Sequence, residues 1–340
     1  MDNPSCPQCN SKNTIKKGIR KNKFQEIQLS YCKQCKKTFS PSLIKKVKYP
    51  PKIILKAVLF YNLGYTQKEV SGEMSKSHRI KIPERTISSW IKHYSNTCTF
   101  HRLREQAIKL YNPEEMVFSH HLQHNQIYKY QLHRAKLHLT SKELPEQKFQ
   151  LLKNYLNKIP TENFPHHIFQ PKKDMHELTR SSQMKFNTLD FVKEEKQNFA
   201  NTLASLGLQL SKTNRERHEA IQNFMLTNDS VTVACEIPVY LTSDDISYFQ
   251  SKGFSINFKD YQTPITGHID ILQIRNGMIH ILDYKPEANK TNAVNQLTTY
   301  ALALSSRTKL AVKDLKCAWF DDKHYYEFYP LHAVYQKQKL

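Results

Sequence analysis

The chain has 340 residues, enough for two or three domains, and its 51 Lys and Arg against 30 Asp and Glu give a net charge of +21 and a pI of about 9.5. This charge indicates an anionic polymer as partner. A membrane protein is not expected, because the longest apolar run, Ile53 to Leu63, is interrupted by Lys56 and Asn62. With seven glycines and no dinucleotide or phosphate-loop fingerprint, no nucleotide cofactor is expected.

Four cysteines near the N-terminus form two C-x2-C pairs, Cys6 with Cys9 and Cys32 with Cys35, with 22 residues between the pairs. Four thiolates in this arrangement suit tetrahedral Zn²⁺, which would be structural because the protein fills every position. Disulfide pairing is the alternative, but nothing resembles a secretory signal and the other three cysteines are scattered. Residues 1–45 resemble the zinc ribbons of some transposase-related proteins. A cytoplasmic, nucleoid-associated location is expected.

Residues 46–96 carry the signals of three short helices. Apolar residues at helical spacing predict the first from Pro51 to Leu63, and Thr66 with Glu69 forms a capping box that opens the second. The third is predicted from Arg85 to Tyr94. Its polar face carries side chains that suit DNA bases and phosphates, namely Arg85, Thr86, Ser88, Ser89 and Lys92.

This helical segment resembles the helix-turn-helix modules of transposases and recombinases, which implies that it binds DNA. A small helical bundle without a ligand is the alternative. The local charge favours DNA, because residues 1–60 contain 14 Lys and Arg against 2 Asp and Glu.

Residues 97–205 are predicted to form a helical, partly flexible connector, strongly polar and interrupted by prolines. Histidines cluster in it, and His120 and His124 are four residues apart, which on a helix would place them on one face. No glutamate stands between them in the H-E-x-x-H sense, so a zinc protease site is not expected. The prediction is a connector that contacts DNA or a protein partner.

Residues 206–340 alternate between helical and strand patterns. Asn276-Gly277 predicts a type I′ hairpin, because both central residues of that turn need positive φ. The predicted elements, in order, are a helix (215–226), three strands (231–241, 266–275 and 278–284), a helix (291–304) and two strands (315–320 and 324–329).

Charged residues stand within and directly after this predicted hairpin. Asp270 and Asp283 fall on its two neighbouring strands, and Lys285 is two residues beyond Asp283, on the same face. Two carboxylates suit Mg²⁺ or Mn²⁺, and a lysine beside them can orient a water molecule or neutralise charge on a phosphate. An ordinary surface Asp/Lys pair is the alternative. Ile279, with its apolar neighbours, argues against it because the strand reads as buried.

Residues Asn214 to Tyr329 resemble the PD-(D/E)XK nuclease superfamily and its RecB-like branch. Asp270 matches the first acid, Asp283-Tyr284-Lys285 the D/E-x-K element, and Gln296 with Tyr300 the helical Q-x3-Y motif. The resemblance also implies a third metal ligand upstream. Its candidates are His218, Glu219 and Glu236. The resemblance also implies that Gln296 and Tyr300 position Lys285 or the nucleic-acid backbone. Separately, three basic residues are candidates for phosphate contacts, namely Lys259, Arg275 and Lys290.

The fold class expected from these observations is an α+β multidomain protein. It has a zinc ribbon, a helix-turn-helix, a helical middle and a restriction-endonuclease-like core of order αβββαβ. The expected function is Mg²⁺- or Mn²⁺-dependent hydrolysis of DNA phosphodiesters. Alternatives are a DNA-binding regulator that does not cleave, and a transposition or recombination factor that cuts only with a partner. A homodimer is a further expectation, since a double-strand cut needs two active sites or two successive nicks.

Overall fold

A computed structural model of the chain describes residues 4–24, 26–40, 48–144, 147–170, 184–186, 192–195, 198–211, 213–256 and 263–335. Its α-helices are α1 (Pro51–Asn62), α2 (Gln67–His78), α3 (Glu84–Tyr94), α4 (His101–Leu110), α5 (Pro113–Met116), α6 (Arg134–Glu143), α7 (Gln147–Lys158), α8 (Phe199–Gly207), α9 (Arg217–Asn228), α10 (Ser243–Ser251), α11 (Val294–Thr308) and α12 (Pro330–Val334). Its strands are β1 (Thr14–Lys21), β2 (Glu26–Cys32), β3 (Thr38–Phe39), β4 (Val117–His124), β5 (Gln126–His133), β6 (Lys193–Glu194), β7 (Thr232–Leu241), β8 (Ile265–Arg275), β9 (Met278–Tyr284), β10 (Leu315–Phe320) and β11 (Tyr325–Phe328). None of the helices in these residues is both long and apolar enough to cross a bilayer.

The N-terminal segment is a three-stranded antiparallel sheet of order β1-β2-β3. The cysteine pairs flank it, and Cys6 and Cys32 are buried. On β1 only Thr14 is buried, so the sheet has little apolar core of its own. Such a segment depends on cross-links or a metal ion for its stability.

Three helices follow, as the sequence predicts. Thr66 caps α2 reciprocally with Glu69, and Gly64 lies at φ +113° directly after α1, a conformation that favours glycine. The three helices share one hydrophobic core with α8, α9 and one face of the large sheet. Asn62 donates a hydrogen bond of 2.8 Å to Asn228, which fixes α1 to α9.

The second sheet has eight strands among the described residues, in the order β4-β5-β7-β8-β9-β10-β11-β6. The predicted C-terminal elements are confirmed: α9, β7, β8, β9, α11, β10 and β11 follow each other in that order. β9 and β10 are parallel and α11 forms the crossover between them. The helix α10, capped by Thr242 and Asp245, was not predicted.

The expectation of a helical, partly flexible middle is wrong for residues 117–133. Residues Val117–His124 and Gln126–His133 form an antiparallel β-hairpin, with Asn125 at φ +58° in its turn, and β5 hydrogen-bonds to β7. His120 and His124 therefore lie on a strand rather than on one face of a helix. The polar side chains of β4 conceal the period of two, and the partner strand β7 lies about a hundred residues away in sequence, beyond any local signal.

Candidate active site

Three carboxylates occupy neighbouring positions across the centre of the large sheet. Glu236 is on β7, Asp270 on β8 and Asp283 on β9. Residues next to the acids pair across the three strands: Cys235 pairs with Ile271, and Ile271 pairs with Leu282. This register places the three carboxylates side by side. The prediction that Asp270 and Asp283 lie on neighbouring strands of one hairpin is confirmed.

At Glu236, the side chains of β7 no longer alternate regularly between the two faces of the sheet. Glu236 has φ +54°, a left-handed conformation that is rare for a residue with a side chain. Residues two apart on a regular strand share a face, yet Cys235 packs in the core beside α8 and α9, while Ile237 packs in the core beside α11. A left-handed residue costs about 1–3 kcal/mol, and such strain is concentrated at functional sites.

The helix α9 supplies the groups above this row. His218 Nδ1 lies 3.5 Å from Asp270 Oδ2, and Gln222, one turn further along, donates a hydrogen bond of 2.7 Å to Glu236 Oε1. Glu219 instead forms an ion pair with Lys129 at 3.3 Å and is 57% exposed. The structure therefore brings His218 and Glu236 to the two aspartates, whereas Glu219 lies at the rim.

Burial and mutual repulsion control the charge of the acids. Burial, followed by the charge of Asp270, raises the pKa of Asp283 well above its usual value and that of Glu236 to about 8. Burial also raises the pKa of Asp270, but hydrogen bonds from His218 and Asp283 outweigh it, so the net pKa is lowered. Without a cation the row thus holds protons, which a divalent ion would displace.

Lys285 lies beside the second aspartate, as the same-face spacing predicts. Its Nζ is 2.7 Å from Asp283 Oδ2, and its backbone N–H donates to the carbonyl of Phe320 on β10. Asp283 is 2% exposed, and within the described residues neither of its carboxylate oxygens has a well-directed hydrogen bond. A buried carboxylate next to a second buried acid fits a cation-binding role, because burying negative charge is costly unless a cation compensates it.

Gln296 and Tyr300 lie on the opposite face of the sheet, on α11. Gln296 Nε2 donates a hydrogen bond of 2.9 Å to the Tyr300 hydroxyl. The tyrosine ring covers Gly267, where a Cβ would lie 2.3 Å from Tyr300 Cε1. Only glycine fits there, so the pair fixes β8 three residues before Asp270.

These residues fall in a segment that matches a known family. Residues 188–328 match the family model of the PD-(D/E)XK nuclease superfamily. This segment is a PD-(D/E)XK nuclease superfamily domain. No curated protein and no solved structure matches the chain.

Two residues in or beside this candidate site were not predicted from the sequence. Gln222 follows His218 by four positions on α9, so helical spacing was a usable signal for it. Lys129 reaches the rim of the site from β5, outside the nuclease domain, and no sequence signal connected the two.

Two of the three lysine and arginine candidates for phosphate contacts have partners outside this row. Arg275 is directed towards His280, with its Nε buried, and Lys290 forms an exposed ion pair of 2.7 Å with Glu287. Lys259 lies outside the described residues.

The four N-terminal cysteines form a second potential metal site, separate from the nuclease acids. Cys6 Sγ is 3.5 Å from Cys35 Sγ, Cys9 Sγ is 3.5 Å from Cys32 Sγ, and all four sulfurs lie within 4.8 Å of one another. Zn–S bonds of about 2.3 Å in a tetrahedron imply sulfur separations of about 3.8 Å, so the cluster fits Zn²⁺. Burial raises the pKa of Cys6, but hydrogen bonds from backbone N–H groups outweigh this and lower it to about 6, which favours the thiolate.

The predicted DNA-contacting face of α3 is largely exposed. The helix α3 begins at Glu84, and its residues Ile87 and Tyr94 are buried on the side opposite to this face. The side chains of Arg85, Ser88, Ser89 and Lys92 are exposed, and that of Thr86 is half-buried. The face therefore presents two cations and three hydroxyls that the fold itself does not use for its core.

Proposed function

We propose that the chain is a divalent-metal-dependent deoxyribonuclease of the RecB-like branch. The observation that carries this proposal is the row of Glu236, Asp270 and Asp283 with Lys285 beside it, inside a PD-(D/E)XK nuclease domain. The histidine on α9, the Asp-Tyr-Lys sequence and the Gln296–Tyr300 pair on α11 support the RecB-like assignment.

Asp270 and Asp283 are the proposed ligands of Mg²⁺ or Mn²⁺, with His218 and Glu236 completing the site. Mg²⁺ suits such a set of ligands, because it binds one or two carboxylates and keeps several of its waters. The bound cation would supply an acidified water molecule and stabilise negative charge on the phosphate.

The remaining chemistry belongs to the side chains. Lys285 holds its ammonium against Asp283, so it is placed to orient the attacking water and to neutralise charge that develops on the phosphate. Gln222 holds the Glu236 carboxylate by a hydrogen bond and thereby sets its orientation. Gln296 and Tyr300 act indirectly, by fixing β8 through Gly267.

The N-terminal region is proposed to target this activity to DNA, through a zinc ribbon over residues 1–45 and a helix-turn-helix over 46–96. The ring of Phe24, in the β1–β2 turn, stacks on Tyr49 at 4.5 Å, and Tyr49 packs edge-on against Trp90 of α3 at 5.2 Å. Ribbon and α3 are thus joined by aromatic contacts, which supports their use as one DNA-binding surface. Residues 97–205 are the proposed connector, and residues 206–340 are the proposed nuclease region.

Cleavage of supercoiled plasmid tests the proposed activity. With Mg²⁺ or Mn²⁺ the protein should convert the plasmid to nicked or linear forms, and a chelator should stop the reaction. Ca²⁺ provides a matched control, because it binds oxygen ligands with a looser geometry. Binding of the plasmid without any cleavage under these conditions would contradict the proposal and favour a regulator or a factor that needs a partner.

Charge removal on α3 tests the proposed targeting. The double substitution Arg85→Ala/Lys92→Ala should weaken DNA binding and reduce the dependence of log Kd on log salt by about 0.9 for each phosphate that the protein no longer neutralises. Metal-dependent cleavage at saturating DNA should be retained, since both residues lie outside the nuclease domain. An unchanged Kd and salt dependence, measured by fluorescence anisotropy, would show that α3 does not contact DNA.

A further inference from the structure

The β4–β5 hairpin precedes the nuclease domain in sequence but is built into its sheet. Gln131 and Leu132 of β5 pair with Cys235 and Ala234 of β7, directly beside Glu236. The hairpin thus begins next to the row of catalytic acids, although residues 117–133 lie outside the matched segment 188–328.

The far end of the hairpin contacts β8, the strand that follows β7 in the sheet. His124 is buried, with its Nδ1 3.0 Å from His268 Nε2 and its Nε2 2.9 Å from His166 Nδ1. The Thr161 carbonyl only accepts, so His166 Nε2 donates to it, and the ring contacts then run in one direction, with each Nε2–H donating to the Nδ1 of the next ring. Tyr128 stacks on His268 with ring centroids 3.6 Å apart. The hairpin is therefore held at both ends.

Two consecutive residues of β5 contact residues that neighbour the proposed metal ligands, one on β8 and one on α9. Tyr128 covers His268, two residues before Asp270 on β8, and Lys129 reaches Glu219, the neighbour of His218 on α9. Lys129 is consequently placed at the rim of the active site by a rigid strand rather than by a mobile loop.

The ion pair between Lys129 and Glu219 is weak enough for a phosphate to replace the Glu219 carboxylate. The ion pair with Glu219 has an N–O distance of 3.3 Å, and the two side chains are 37% and 57% exposed. Exposed ion pairs contribute little to stability, so the ammonium loses little when it leaves the carboxylate for a phosphate. The adjacent strand β4 exposes His120 and His121, which adds no negative charge to this wall.

We propose that the β4–β5 hairpin forms one wall of the DNA cleft and that Lys129 binds a backbone phosphate next to the scissile phosphodiester. Lys129 is a positioning residue in this view, and Glu219 is its counter-ion in the absence of DNA. The inference rests on the proposed nuclease function and identifies an element outside the nuclease domain that holds its substrate.

Steady-state cleavage of a fluorescent duplex tests this inference with Lys129→Ala, Lys129→Arg and Glu219→Gln. Lys129→Ala should raise KM about fivefold with little change in kcat and should reduce the salt dependence of binding by about 0.9 in log–log slope, whereas Lys129→Arg should retain the wild-type values. Glu219→Gln should lower KM, because it removes the competing carboxylate. Lys142→Ala, an exposed lysine on α6, is the matched control and should change neither constant.

The opposite directions of the two effects distinguish substrate binding from a structural ion pair. If the pair were only structural, Lys129→Ala and Glu219→Gln would lower the melting temperature alike and leave KM and the salt dependence unchanged, and that result would overturn the inference. Failure of the wild-type protein to cleave would instead refute the proposed function. An equal rise of KM in Lys142→Ala would show a general charge effect, which would also refute a specific role for Lys129.

Discussion

Substitution of Asp283 by asparagine should strongly reduce DNA cleavage and at the same time make the metal-free protein more stable. Asp283 is 2% exposed, and burial followed by the charge of Asp270 raises its pKa. An amide has nearly the same shape but needs no cation, so the repulsion within the carboxylate row is relieved. We expect kcat to fall about 10²- to 10³-fold and the free energy of unfolding to rise by about 1–2 kcal/mol.

The stability gain should depend on pH in a defined direction. Because the pKa of Asp283 is higher in the folded protein than its ordinary value of 3.8, the native state binds more protons than the unfolded state above that value. Wild-type stability therefore falls as pH rises from about 4 towards the raised pKa, by at most about 1.4 kcal/mol per pH unit for this group. Asparagine does not titrate, so its advantage should be larger at pH 7 than at pH 5.

Thermal melts at both pH values, with and without Mn²⁺, measure these effects beside plasmid cleavage. Mn²⁺ should raise the melting temperature of the wild type and leave that of Asp283→Asn nearly unchanged. Asp244→Asn, an exposed acid on α10, is the matched control and should behave as wild type in all assays. Retained cleavage in Asp283→Asn would show that this carboxylate is not part of the catalytic site.

Removal of zinc from the four cysteines should unfold the N-terminal ribbon and leave the nuclease domain folded. The ribbon strands bury few apolar side chains, whereas structural Zn²⁺ contributes an apparent 10–16 kcal/mol, about the whole stability of a small domain. We expect DNA binding to weaken and metal-dependent cleavage at saturating DNA to remain.

The two tryptophans allow each region to be observed separately. In a Trp319→Phe variant, Trp90 remains and contacts the ribbon through Tyr49 and Phe24, so its emission should shift when a zinc chelator or Cys32→Ser removes the metal. In a Trp90→Phe variant, Trp319 packs on Tyr326 of the nuclease domain, and its emission should not change. An unaltered Trp90 spectrum in metal-free protein would contradict a zinc-dependent ribbon.

The local signals of the sequence predicted the elements that depend on neighbouring residues. Asn276 and Gly277 have φ values of +53° and +71°, as the predicted type I′ turn requires, so the pairing of β8 with β9 followed directly. The capping box of Thr66 and Glu69 marked the start of α2 in the same way. Each of these signals acts over a few residues, within the range that a sequence pattern can report.

The sequence also determined which groups carry charge and which are candidates for binding metal, through the spacing of its cysteines and the order of Asp270, Asp283 and Lys285. It could not determine the contacts made over long distances in the chain. The pairing of β5 with β7, the left-handed Glu236 and the approach of Lys129 to Glu219 each depend on packing between segments up to about a hundred residues apart. Burial in the common core holds the strands and helices that bring these residues together, and no local preference for helix or strand encodes that packing.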